Sequence, residues 1–140
     1  MRFMVMIKAS AETEAGEMPS NELLLAMGKY NEELVKAGVM IDGAGLMSSA
    51  HGARVEMENG TTRVVDGPFA ETRELIAGYW IWECKTLEEA VEWARRCPQD
   101  SKQGSQLEIR RMFEMEDFEQ GSGIEQHEKV AQMLGEQAGN

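Results

Sequence analysis

Few residues in this chain have types and spacing that admit chemistry. Asp66 opens the run Asp66-Gly67-Pro68-Phe69, a turn by composition, with Glu71 and Arg73 just beyond it. A carboxylate at a strand end suits general acid–base catalysis or the anchoring of a polar ligand. In such a site Asp66 is the acid/base or anchor, Arg73 pairs with an anionic group of the ligand, and Tyr30 or Tyr79 lines the pocket. The same residues also have a structural explanation. An Asp at the start of a tight turn accepts backbone N–H bonds two residues on, Gly67 tolerates the turn, Pro68 fixes it, and Phe69 plugs the core. Both readings of Asp66 stand on the sequence.

The other reactive residues are scattered. His51, Cys84, Cys97 and His127 form no HExxH and no paired CxxC, so neither a metal nor a cofactor is expected. There is no GxSxG. Gly43-Ala44-Gly45 is followed by neither a helix nor a Lys-Ser pair, so it is not a phosphate loop. Cys84 ends an apolar run and Cys97 ends a helical one, the positions of inert core thiols. A chain with two cysteines and no CxxC fits a reducing cytoplasm. The N-terminal Met1–Lys8 is too short and wrongly flanked for a signal peptide, and no apolar run is long enough to span a membrane.

Charge excludes further classes. The 140 residues hold 25 acids and 14 bases, a formal charge of -11. Such a chain repels phosphate backbones and anionic membranes, and Arg95-Arg96 and Arg110-Arg111 are only pairs. The aromatic run Tyr79-Trp80-Ile81-Trp82 has the look of a base-stacking platform, but without a basic surround it reads as core. The charge is also uneven: residues 1–113 carry 18 acids and 13 bases, and residues 114–140 carry 7 acids and a single base, Lys129. Over half of the net charge therefore sits in the last fifth of the chain.

The elements that must position these residues follow from periodicity. Residues 2–9 read as a strand apolar on both faces, with Phe3, Val5 and Ile7 on one and Met4 and Met6 on the other. Residues 11–18 read as an acidic loop. Residues 20–37 read as an amphipathic helix, with Ser20 as N-cap, a Leu23, Ala26/Met27, Tyr30, Leu34 stripe, and Gly38 as its stop. Val39–Leu46 reads as a short strand. Ala53–Glu58 and Thr61–Val65 read as a hairpin joined by Asn59-Gly60. Leu75–Cys84 reads as a central strand buried on both sides. Thr86-Leu87-Glu88-Glu89 has the form of a capping box opening a helix to about Arg96, which Pro98 ends. Gln106–Glu114 reads as the last strand, with Leu107, Ile109 and Phe113 on one face. Beyond the Gly121-Ser122-Gly123 linker, Val130, Met133 and Leu134 suit a short helix.

The order β-α-β-hairpin-β-α-β predicts an α+β fold, the ferredoxin-like split βαβ pattern with an antiparallel sheet. Its helices cover one face of the sheet, so the apolar second face predicts a homodimer packed sheet on sheet.

Several runs carry a resemblance. Val64-Val65-Asp66-Gly67-Pro68-Phe69-Ala70-Glu71-Thr72-Arg73-Glu74, with Ile76-Ala77-Gly78-Tyr79-Trp80-Ile81-Trp82 after it, closely resembles the DGPF-domain proteins of the YCII-related family. So do Ala26–Leu34, Asp42–Leu46 and Glu88–Ala94. The resemblance covers about residues 1–118, a YCII-related/DGPF domain, and leaves 119–140 outside it as an acidic C-terminal tail. It implies a dimeric α/β-barrel of ferredoxin-like protomers. The His-Asp pair of shorter YCII-like members does not transfer, because Ser20-Asn21-Glu22-Leu23 lacks the histidine. Asp66 alone matches as an acidic candidate. DGPF members resemble companions of extracytoplasmic-function sigma factors. Two functions therefore stand open: a small-molecule-binding homodimer, enzymatic through Asp66, and a regulatory module acting with a sigma factor through the acidic tail.

Overall fold

In a computed structural model, residues 1–99 and 105–139 are described. The chain forms β1 (Arg2–Lys8), α1 (Ala11–Glu14), α2 (Asn21–Lys36), β2 (Met40–Gly45), β3 (Ala53–Glu58), β4 (Thr61–Asp66), β5 (Ile76–Glu83), α3 (Leu87–Arg95), β6 (Leu107–Arg111) and α4 (Ser122–Ala138). Four strands make one antiparallel sheet in the order β2-β5-β1-β6. This α+β architecture is consistent with the ferredoxin-like arrangement. The strands β3 and β4 pair only with each other, as a separate ribbon.

The core lies between this sheet and the helices. Phe3 and Val5 of β1 stand opposite Trp82 and Trp80 of β5, and all four are buried with Tyr30 and Leu34 of α2 and Ala90 of α3. The Trp80 indole N–H donates to Asn31 Oδ1 at 2.9 Å, and the Trp80 and Tyr30 rings meet edge-on at 5.9 Å. The Trp82 indole N–H is buried without a partner among the described residues. An orphaned buried donor costs about 1–3 kcal/mol. The helices are tied together by Tyr30, whose hydroxyl donates to the Trp93 carbonyl at 2.6 Å, and by an Arg96–Glu33 ion pair at 2.6 Å. On the opposite face of the sheet, Met4, Met6, Tyr79 and Ile81 are half-buried.

Local chemistry sets the element ends. Ser20 Oγ accepts from Leu23 N–H at 3.1 Å and starts α2. At α3, Thr86 Oγ1 accepts from Glu89 N–H at 3.1 Å, while the Glu89 carboxylate reaches past the cap to Lys85 N–H at 2.7 Å. The ribbon turn has Asn59 at φ 51° and Gly60 at φ 77°. These positive values are the hairpin turn whose twist matches the flanking strands.

Two segments depart from the sequence reading. Residues 11–14 are a helical turn within the stretch read as a loop, because Ser10 and Thr13 cap each other's backbone N–H groups. The last strand stops at Arg111, and Phe113 is 73% exposed where it was expected to share a face with Leu107 and Ile109. Asp117 bends the chain there by accepting Glu114 N–H at 2.8 Å. The tail is a 17-residue helix that buries only Ile124.

Candidate functional site around Asp66

Asp66 is the last residue of β4, paired with Ala53, and it is exposed. The turn after it is held by residues 49–54 and, behind them, by Glu14. Gly67 N–H donates to the Gly52 carbonyl at 3.0 Å. Phe69 N–H donates to Ser49 Oγ at 3.0 Å. The Ser49 hydroxyl in turn donates to Glu14 Oε2, and Ser49 N–H donates to Glu14 Oε1 at 3.0 Å. The Arg54 guanidinium lies over the Phe69 ring, 3.9 Å from its centroid, within cation–π range. Glu71, just beyond, holds a left-handed backbone at φ 42°. That conformation costs a side-chain-bearing residue about 1–2 kcal/mol.

This wiring changes the account of Asp66. Position 68, two residues on, is a proline and has no N–H to give. The next free donor, Phe69 N–H, goes to Ser49. Among the described residues the Asp66 carboxylate makes no hydrogen bond and no ion pair. The structural task that its place in the turn suggests is performed by Ser49 and Glu14 instead. Neither was legible as a partner, since they lie far from Asp66 in sequence and carry no motif.

The other candidates make no bond to Asp66 among the described residues. Arg73 is exposed in a short 3₁₀ turn, Thr72–Glu74. Tyr79 is on the open face of β5, half-buried. Tyr30 is buried on the helix side, its hydroxyl engaged by Trp93, and burial pushes its ionisation well above the usual tyrosine range. Tyr30 and Tyr79 thus face opposite sides of the sheet, and within one chain they line no common pocket. No hydrogen bond or ion pair among the described residues joins Asp66, Arg73, Tyr30 and Tyr79.

A cavity of about 410 Å³ lies elsewhere, lined by Arg2, Phe113, Met115, Phe118, Ile124 and His127 among others. The Phe113 and Phe118 rings stand 5.0 Å apart within it. Its edge is closed by Arg2 and Glu114, joined at 2.9 and 3.1 Å; the Arg2 hydrogen bonds hold the Glu114 carboxyl below its ordinary range. None of the residues singled out around Asp66 lines this groove. Burial raises the Cys84 and Cys97 thiols to about 11 each, with Glu89 and Glu83 adding to the effect at Cys84. Among the described residues no three His, Cys, Asp or Glu side chains converge as a metal site. No helix is long and apolar enough to cross a membrane among those residues.

The model of the YCII-related domain matches residues 1–116. An uncharacterised protein of Rhizobium meliloti (strain 1021) is 32% identical over 97 residues, covering 69% of this chain and 75% of that relative. The family match spans α1, α2 and α3, the sheet and the ribbon, and α4 lies beyond it. The chain belongs to the YCII-related family.

Proposed function

We propose that the protein is a homodimer that binds a small polar molecule at Asp66. The observation that carries this reading is the exposed Asp66 carboxylate, which its own turn does not use. A turn that is braced by Ser49 and Glu14, and that holds a strained Glu71, fixes an acid in place at no benefit to the fold. The open sheet face with Met4, Met6, Tyr79 and Ile81 supports the dimer, packed sheet on sheet as a dimeric α/β-barrel. Arg73 supplies the positive charge for an anionic group on the ligand, and Asp66 takes its donor or exchanges its proton. Free amino acids and hydroxy acids carry both groups.

A thermal-shift screen with millimolar amino acids and hydroxy acids tests this. At a free ligand concentration of 100 Kd, binding adds about 2.7 kcal/mol of stability. The wild-type chain is expected to gain several degrees with at least one probe, and Asp66→Asn to lose that gain. No shift with any probe, or an equal shift in Asp66→Asn, contradicts the reading.

The exposed Val130, Met133 and Leu134 on an acidic helix favour a second reading. In it the module docks α4 on a regulatory partner such as an extracytoplasmic-function sigma factor. Removing residues 119–140 abolishes capture of such a partner if this is right, and leaves capture unchanged if it is wrong.

A further inference from the structure

The β3–β4 ribbon is a two-faced element with only one face satisfied. Its register places Ala53, Val55 and Met57 opposite Asp66, Val64 and Thr62, so these six side chains share a face. Arg54, Glu56, Glu58, Thr61, Arg63 and Val65 share the other. The charged face looks after itself, with Arg63 paired to Glu56 and Arg54 over Phe69. The apolar face does not: Val55, Met57 and Val64 are 57%, 78% and 63% exposed. In β3, Ala-Arg-Val-Glu-Met-Glu, apolar and polar residues alternate as in a strand with one buried side, and an isolated two-stranded hairpin is marginal in water. Among the described residues nothing covers this side.

We infer that the ribbon is an arm whose apolar face packs against a second copy of this chain, which puts Asp66, at its base, on the boundary between the two copies. The inference rests on the homodimer reading above and adds to it the element that completes the interface. Area selects a second copy as the occupant. The open face of four strands, ~4.8 Å apart and five to eight residues long at ~3.3 Å each, has a footprint of ~410 Å². Two such faces bury ~820 Å², short of the ~1,200 Å² at the lower end of stable, specific interfaces. Each ribbon, two strands of six residues, adds ~200 Å² on itself and ~200 Å² on what it covers. Two ribbons in a two-fold dimer bring the total to ~1,600 Å², inside the range of ~1,200–2,000 Å². The only charge on the ribbon's apolar face is Asp66, which suits an apolar protein surface and not a nucleic acid.

Sedimentation of the full chain tests the arm, with a ribbon variant, Met57→Asp/Val64→Asp, beside a sheet-face variant, Met6→Lys. Near-UV circular dichroism of the buried tryptophans reports whether each variant is folded. A folded ribbon variant is expected to weaken the dimer at least 100-fold. A dimer of wild-type affinity in the ribbon variant, with dissociation in Met6→Lys, overturns the arm and leaves the homodimer standing. A wild-type chain that stays monomeric at high concentration overturns the homodimer reading itself, and the arm with it. Should the ribbon variant unfold, the wild-type chain decides. Its Met57 methyl is expected to be protected from a soluble paramagnetic agent, and broadening equal to that of exposed Met18 overturns the arm.

Discussion

A Cβ atom at Gly67 would lie 1.7 Å from the carbonyl oxygen of Ser49. The backbones of the turn and of the Ser49 loop are in contact there, and only a hydrogen fits between them. Because the obstacle is backbone, it cannot rotate away. Gly67→Ala is expected to lose about 1–3 kcal/mol of stability, as overpacking of a close contact does, measured by urea unfolding. Amide exchange at Phe69 should accelerate in the same variant, since the turn must shift away from Ser49.

Ser49→Ala tests the brace from the other side. It removes the acceptor of Phe69 N–H and the hydroxyl that donates to Glu14. One neutral bond and one bond to a charged group together give an expected loss of about 2–4.5 kcal/mol. Glu14→Gln, which retains an acceptor but not the charge, should lose less.

The two core tryptophans are expected to respond differently to replacement by phenylalanine. Both are buried, but the Trp80 indole N–H has Asn31 as its partner and that of Trp82 has none. Trp80→Phe forfeits a hydrogen bond, whereas Trp82→Phe relieves an orphaned donor. Unfolding free energies should show Trp80→Phe as the costlier by about 1 kcal/mol or more.

Alkaline pH should destabilise the fold. The Cys84 and Cys97 thiols ionise near 11 in the folded chain against an ordinary 9.0, chiefly because burial disfavours the thiolate, and Tyr30 is raised in the same direction. The unfolded chain therefore releases these protons first. Their contribution is complete below pH 9.0 and is lost as the pH rises through about 11. The urea midpoint should fall across that window, and both thiols should resist a thiol reagent at pH 8 until urea is added. A flat midpoint contradicts this.

Much of the fold was legible because it rests on local signals. Ser20, Thr86 and Asn59-Gly60 each dictate an end or a turn through their own nearest backbone groups, and each does so in the structure. The misreadings arose where partners are set by something other than periodicity. The helical turn at 11–14 depends on a reciprocal cap between Ser10 and Thr13, and the apolar Phe113 is turned outward by Asp117 one bend later. For the candidate site the sequence supplied Asp66 and its turn, with its structural and functional readings both open, but not the residues that brace the turn. Glu14 and Ser49 are brought to the turn by tertiary folding across long sequence separations, which no spacing rule encodes.

The Asp66 carboxylate either serves the turn or is held there for another purpose. The unfolding free energy of Asp66→Asn measures this directly. With the turn braced by Ser49 and Glu14, the variant is expected to stay within about 0.5 kcal/mol of the wild-type chain, as substitution of a side chain that makes no hydrogen bond or ion pair does. A loss of about 1.5 kcal/mol or more would assign the carboxylate to the turn and contradict the reading of Asp66 as a free functional group.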